Sequence, residues 1–99
     1  MSSKFQGMLG LAMRAGKLAV GEGKVEEAIR SGKAFLLILS TDASDNTEKK
    51  FLNMANSHKL PVVRSCDRDT LGKILGREFA VIVAVTDLGF AKQLELLSF

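Results

Sequence analysis

Apolar residues near the start of the chain recur at helical spacing. Phe5, Met8, Leu9 and Ala12 stand at i, i+3, i+4 and i+7, which predicts an amphipathic helix over residues 2–14 that stops at Gly16. Residues 17–20 read as a short strand. A second helix is predicted over residues 21–32, with Val25, Ala28 and Ile29 inward and Gly32 as its stop. Residues 34–40 form a short, nearly unbroken apolar run, the mark of a strand covered on both faces. Asp45, with Glu48 three positions later, reads as the cap of a third helix, which turns Phe51, Met54 and Ala55 inward and ends near His58. Pro61 opens a strand over residues 62–65. Asp67 caps a short helix carrying Leu71, Ile74 and Leu75, and Gly76 breaks it. Residues 79–86 form a second covered strand, and residues 87–98 a last helix with Phe90, Ala91, Leu94 and Leu97 inward. Strictly alternating elements, α-β-α-β-α-β-α-β-α, predict a three-layer α/β/α sandwich around a small mixed sheet of about four strands.

Composition narrows the class without naming a function. Ninety-nine residues are enough for one domain, expected to span residues 1–99, with one modest core. The single cysteine, Cys66, leaves no internal disulfide and fits a reducing compartment. The first residues lack the apolar core of a signal peptide, and no run approaches the roughly 18 apolar residues of a membrane span. The expectation is a soluble, cytoplasmic protein with no membrane partner. Fourteen Lys and Arg against eleven Asp and Glu give +3, a surplus that permits a nucleic-acid partner without requiring one.

Catalytic and cofactor chemistry finds little support. One Cys and one His make no zinc site, and no other metal or cofactor is expected. His58 near a helix end reads as a surface or capping residue, and Cys66 as a small, partly buried one without a partner base. Residues 10–17 end in Gly-Lys like a phosphate loop, but the spacing is one residue too long and Leu18 stands where Ser or Thr is needed. Gly21 and Gly23 lack the third glycine of a dinucleotide fingerprint. Asp42 and Asp87 each follow a covered strand, where α/β enzymes place catalytic groups, but each also precedes a helix that it can cap.

Two segments suit a polyanion. Gly21, Glu22, Gly23 and Lys24 open the second helix, where free backbone N–H groups favour phosphate and glycines admit a close ligand. Arg14, Lys17 and Lys33 could lie nearby and add charge. The same glycines would equally serve a tight turn into a helix. The second segment combines Gly76 with Arg77, Glu78 and Phe79 just before a covered strand. Arg can bind phosphate and Phe can stack on a base, while Phe79 would equally serve as the first core residue of that strand.

These residues carry a resemblance. Gly21, Val25, Ala28, Ile29, Gly32, Lys33 and Ala34, followed by the apolar strand and Thr41, Asp42 and Ala43, are similar to the kink-turn-binding ribosomal protein family of the L7Ae type. So are Leu71, Gly72, Lys73, Gly76, Glu78 and Ala80. The stretch from Met8 through Gly10, Arg14, Gly16 and Lys17, and the one from Val85 through Thr86, Asp87, Gly89, Phe90 and Ala91, resemble its bacterial YlxQ-like branch. The resemblance spans nearly the whole chain. It implies RNA binding without catalysis, an association with ribosomes or translation, and ribosome-associated proteins as candidate partners. In the family, the start of the second helix reads guanine edges in a sharply bent loop, and the loop before the last strand covers a flipped-out nucleotide. Carried over by position, the first element is Gly21, Glu22, Gly23, Lys24 and Glu27, and the second is Arg77, Glu78 and Phe79. Phosphate contacts are then expected from Lys17, Lys24, Lys33, Lys73 and Arg77.

One departure changes the expected chemistry. The family's Gly-x-Asn-Glu-x-x-Lys becomes Gly21-x-Gly23-Lys24-x-x-Glu27 here. Lys24 can donate to guanine O6 or N7, and Glu22 or Glu27 can accept from a guanine amino group. The alternative is a protein-interaction adaptor on the same fold. Convergence of Lys17, Lys24, Lys73 and Arg77 on one face would favour RNA, whereas scattered cations around an exposed apolar patch would favour the adaptor.

Overall fold

A computed structural model describes residues 3–98. Ser2, the first residue of the helix read from the sequence, lies outside the described residues, as do Met1 and Phe99. The elements are α1 (Ser3–Arg14), β1 (Leu18–Val20), α2 (Glu22–Arg30), β2 (Leu36–Leu39), α3 (Asp45–His58), β3 (Val62–Arg64), α4 (Arg68–Leu75), β4 (Ile82–Val85) and α5 (Leu88–Leu97).

The four strands form one mixed sheet in the order β1-β4-β2-β3. β4 runs antiparallel to both β1 and β2, and β2 runs parallel to β3. Every residue of β2 and β4 is buried, as expected of two central strands covered on both faces. Alternate residues feed two cores. Leu36, Ile38, Val83 and Val85 pack with Phe5, Leu9, Leu71, Leu75, Ala91 and Leu94, which places α1, α4 and α5 on one face. Leu37, Leu39, Ile82 and Ala84 pack with Val25, Ala28, Ile29, Phe51 and Ala55, which places α2 and α3 on the other. The result is the expected three-layer sandwich. A large core side chain of this kind stabilises the fold by about 1.5–3 kcal/mol, so the inward set, not helix propensity, holds each helix in place.

Two local readings are corrected. The cap of α3 is Ser44, whose hydroxyl accepts from the Thr47 N–H, and Asp45 is the first helical residue. Glu48 instead pairs with Arg64 at the end of β3. Both Ser44 and Asp45 are good capping residues, and only the backbone turn decides between them. The last strand begins at Ile82, not at Phe79. Residues 76–81 form a connection in which Phe79 is 55% exposed.

The expected caps at Asp67 and Asp87 are present. Asp67 accepts from Thr70 N–H at 2.8 Å, and Asp87 from Phe90 N–H at 2.9 Å. The Thr70 hydrogen bonds hold the Asp67 carboxyl below the usual carboxylate range. His58 is exposed, with Nδ1 3.0 Å from the Met54 carbonyl oxygen, and so serves the end of α3. Asp42 accepts from the Arg68 N–H at 2.9 Å and pairs with its guanidinium at 3.4 Å, tying the start of α4 to the end of β2.

Ser40, at the end of β2, is fully buried, and its hydroxyl has no hydrogen-bond partner among the described residues. An unpaired buried hydroxyl costs about 1–3 kcal/mol. Ser40→Ala is therefore expected to leave the urea midpoint equal or raise it, and a clear drop in midpoint would show that the hydroxyl contributes to stability.

Candidate functional site

The sheet has two ends, and the topology distributes the connections between them. Val20 pairs with Val83, and the Gly21 N–H extends that ladder to the Ile82 carbonyl at 3.1 Å. The start of α2 is thus fastened beside the start of β4. Gly21 has φ 99 and ψ 156, a region open essentially to glycine alone. As the N-cap it offers no side-chain acceptor, and the first-turn N–H groups of Glu22, Gly23 and Lys24 have no intrahelical partner. The turn that carries them is exposed, and a Cβ built on Gly23 would meet nothing within 4 Å.

The second wall is the connection from α4 to β4. Gly76 reverses the chain in a left-handed conformation. The Arg77 N–H then donates to the Gly72 carbonyl at 2.8 Å, and the Ala80 N–H to the Arg68 carbonyl at 3.0 Å. Two backbone bonds lay this segment along α4 and leave the side chains of Arg77, Glu78 and Phe79 exposed between them. The approach requires Gly72. A Cβ there would lie 2.5 Å from Phe79 Cα and 2.9 Å from the Arg77 carbonyl oxygen. Gly72 was not among the residues expected at the site. A glycine inside a helix costs about 1 kcal/mol against alanine, and that cost was the available signal of a packing reason.

Together the two walls enclose an open cleft of about 690 Å³, lined by Gly21 and Glu22 on one side, Arg77, Glu78 and Phe79 on the other, and Val20, Ala80, Val81 and Ile82 at its base. Glu22 leans toward α3, where it is 3.7 Å from Lys50 Nζ and 3.5 Å from the Thr47 hydroxyl. Such exposed pairs contribute little stability and yield readily to a ligand. Lys24 stands on the first turn of α2, and Lys73 follows Gly72 on α4. Glu27 is exposed one turn further along α2. Lys24, Lys73 and Arg77 form no ion pair among the described residues.

Lys17 and Lys33 do not join this cleft. Lys17 precedes β1 and Lys33 follows α2, so each lies at the opposite end of its element from Gly21. That is roughly 13 Å away, the length of four strand residues or of nine helical ones. Of the four cations whose convergence separates RNA from adaptor, Arg77 alone lines the cleft; Lys24 and Lys73 lie outside its lining, on the helices that lead to its two walls, and Lys17 stands at the other end of β1. Asp42 and Asp87 are also outside its lining.

A family model described as the ribosomal protein L7Ae/L30e/S12e/Gadd45 family matches residues 3–95. The chain belongs to this family. Within the L7Ae family it is a YlxQ-like member. It is 46% identical to the RNA-binding protein YlxQ of Bacillus subtilis over 87 residues, which cover 88% of this chain and 87% of that protein. It is 34% identical to the RNA-binding protein YlxQ of Enterococcus faecium over 90 residues, 91% of this chain and 86% of that one. A solved structure of a Bacillus halodurans protein, described as of unknown function, superposes with a TM-score of 0.93 at 38% identity and covers 97% of both chains.

Proposed function

We propose that this L7Ae-family chain acts as one non-catalytic domain that binds structured RNA of the kink-turn class, in association with ribosomes or translation. The observation that carries this reading is the meeting of the α2 start and the α4–β4 connection in one cleft, with exposed Phe79 at its edge. Phe79 offers an apolar face for an unstacked base. The first-turn N–H groups of Glu22, Gly23 and Lys24 can take phosphate. Arg77 and Lys24 supply donors to phosphate, and Glu22, Glu27 and Glu78 are acceptors for base amino groups. Asp42 and Asp87, the candidates for catalysis, are engaged in holding α4 and capping α5.

Because the cleft mixes Glu22 and Glu78 with Arg77, shape and base edges carry recognition there more than bulk charge. Lys24→Glu with Arg77→Glu is expected to weaken binding of a labelled kink-turn hairpin at least tenfold. The same variant should flatten the slope of log affinity against log salt by about 2, for two lost phosphate contacts. Fluorescence anisotropy across a salt series measures both. An unchanged affinity and slope would refute the cleft as an RNA site and favour the adaptor.

A further inference from the structure

The charge of the chain is divided between the two ends of the sheet, and the surplus is not at the cleft. Connections at the cleft end carry one cation, Arg77, against three carboxylates, Asp42, Asp67 and Glu78. Connections at the far end carry three lysines, Lys17, Lys33 and Lys59, against one carboxylate, Asp87, which is occupied in capping α5. All three lysines are exposed, and none forms an ion pair among the described residues.

Strand register places Lys17 and Lys59 along one rim, and Lys33 lies two residues before Phe35 in the connection that leads to it. Leu18 pairs with Val85 and Val85 with Leu36, so the next row holds Lys17, Thr86 and Phe35. The Thr86 N–H donates to the Lys17 carbonyl at 2.8 Å, and the Phe35 N–H to the Val85 carbonyl at 2.9 Å. Extending the β2–β3 register brings Leu60, and with it Lys59, to the other side of Phe35. At about 4.8 Å between strands, the row spans roughly 14 Å. Phe35, at its middle, is 38% exposed, although it opens a strand whose four residues are buried. Lys59 adopts a left-handed conformation (φ 55, ψ 44) where glycine would be unstrained. Arg14 is close in sequence, but its guanidinium lies back over Gly10.

We propose that this rim, Lys17, Lys33 and Lys59 around Phe35, is a second RNA-binding surface, which takes an unpaired strand by phosphate contact with the lysines and by base stacking on Phe35. Charge complementarity selects a polyanion, and the exposed ring among the cations selects one with aromatic faces. The surface is separate from the cleft, so one protein can hold two RNA segments at opposite ends of its sheet.

Anisotropy of labelled dodecauridine across a salt series, using the full chain, tests this. Lys17→Glu with Lys33→Glu and Lys59→Glu is expected to weaken binding at least tenfold and to flatten the salt slope by about 2, at ~0.7 per phosphate contact. Reversing Lys4, Lys49 and Lys92, which lie off the rim, changes net charge equally and should cost less than about threefold. Phe35→Ala should cost at least about fivefold, for the loss of one stacked base. Lys59→Gly covers the case in which the triple variant does not fold. It should raise the urea midpoint by relieving the left-handed backbone, yet reduce the slope by about 0.7. Equal losses in rim and control variants, or undiminished oligouridine binding by Lys59→Gly and Phe35→Ala, overturn the proposal. So does a rim that holds polyglutamate as tightly as oligouridine. The kink-turn hairpin, run in parallel, reports on the cleft alone, so the failure of one surface is distinguishable from the failure of the other.

Discussion

Gly72→Ala is expected to disable the cleft while leaving every residue that lines it unchanged. The added methyl would lie 2.5 Å from Phe79 Cα, 2.7 Å from Phe79 N and 2.9 Å from the Arg77 carbonyl oxygen. All three are backbone atoms, so no rotamer change relieves the contact, and either α4 or the following connection must move. Overpacking of this kind costs about 1–3 kcal/mol. Alanine returns about 1 kcal/mol as the better helix former. The clash outweighs the propensity, and the urea midpoint should fall. Movement of the connection also withdraws Arg77 and Phe79 from the second wall, so kink-turn hairpin affinity should drop more than tenfold. A folded variant with parental midpoint and affinity would show that the connection tolerates displacement and that the cleft does not depend on it.

Gly21→Ala and Gly23→Ala should move stability in opposite directions, although the positions are two residues apart. Neither added methyl meets an atom within 4 Å, so packing does not distinguish them. Backbone conformation does. At φ 99 and ψ 156, Gly21 occupies a region that costs an L-residue about 1–3 kcal/mol, and relaxation would rotate the start of α2 away from Ile82. Gly23 sits on an ordinary helical turn, where alanine stabilises by up to about 1 kcal/mol. Urea unfolding should therefore show a lowered midpoint for Gly21→Ala and a raised one for Gly23→Ala. In the RNA-binding reading both lose hairpin affinity: the first by displacing the turn, the second by putting a methyl between the ligand and the exposed N–H groups. A Gly23→Ala protein that is more stable and binds with undiminished affinity would remove the α2 turn from the interface.

Much of the architecture was legible because the signals are local. The continuous apolar runs that became β2 and β4, the caps at Asp67 and Asp87, and the break at Gly76 each depend on a few neighbouring residues. What escaped the sequence depends on distant ones. Phe79 is contiguous with an apolar run, and only the backbone bonds to Gly72 and Arg68 reveal that it stands outside the strand. Ser44 and Asp45 have similar capping chemistry, so composition cannot separate them. Lys17 and Lys33 flank α2 in sequence. Their distance from Gly21 follows from chain direction, because an element's two ends are its most separated parts. The strand order β1-β4-β2-β3 is likewise set by pairing between segments far apart in the chain. The resemblance located both walls of the cleft, but the role of Gly72 emerged only from the contact its missing side chain permits.

The connection over α4 is anchored through main-chain atoms at both ends, by Arg77 N–H to Gly72 and Ala80 N–H to Arg68. None of these bonds involves the side chain of residue 77, 78 or 79. Scaffold and reader are therefore uncoupled, and the three outward positions can be exchanged for other chemistries while the loop keeps its course. If the cleft binds RNA as proposed, a lineage could retarget this wall to a different nucleotide by point substitution, without passing through a misfolded ancestor, provided the glycine beneath it is kept.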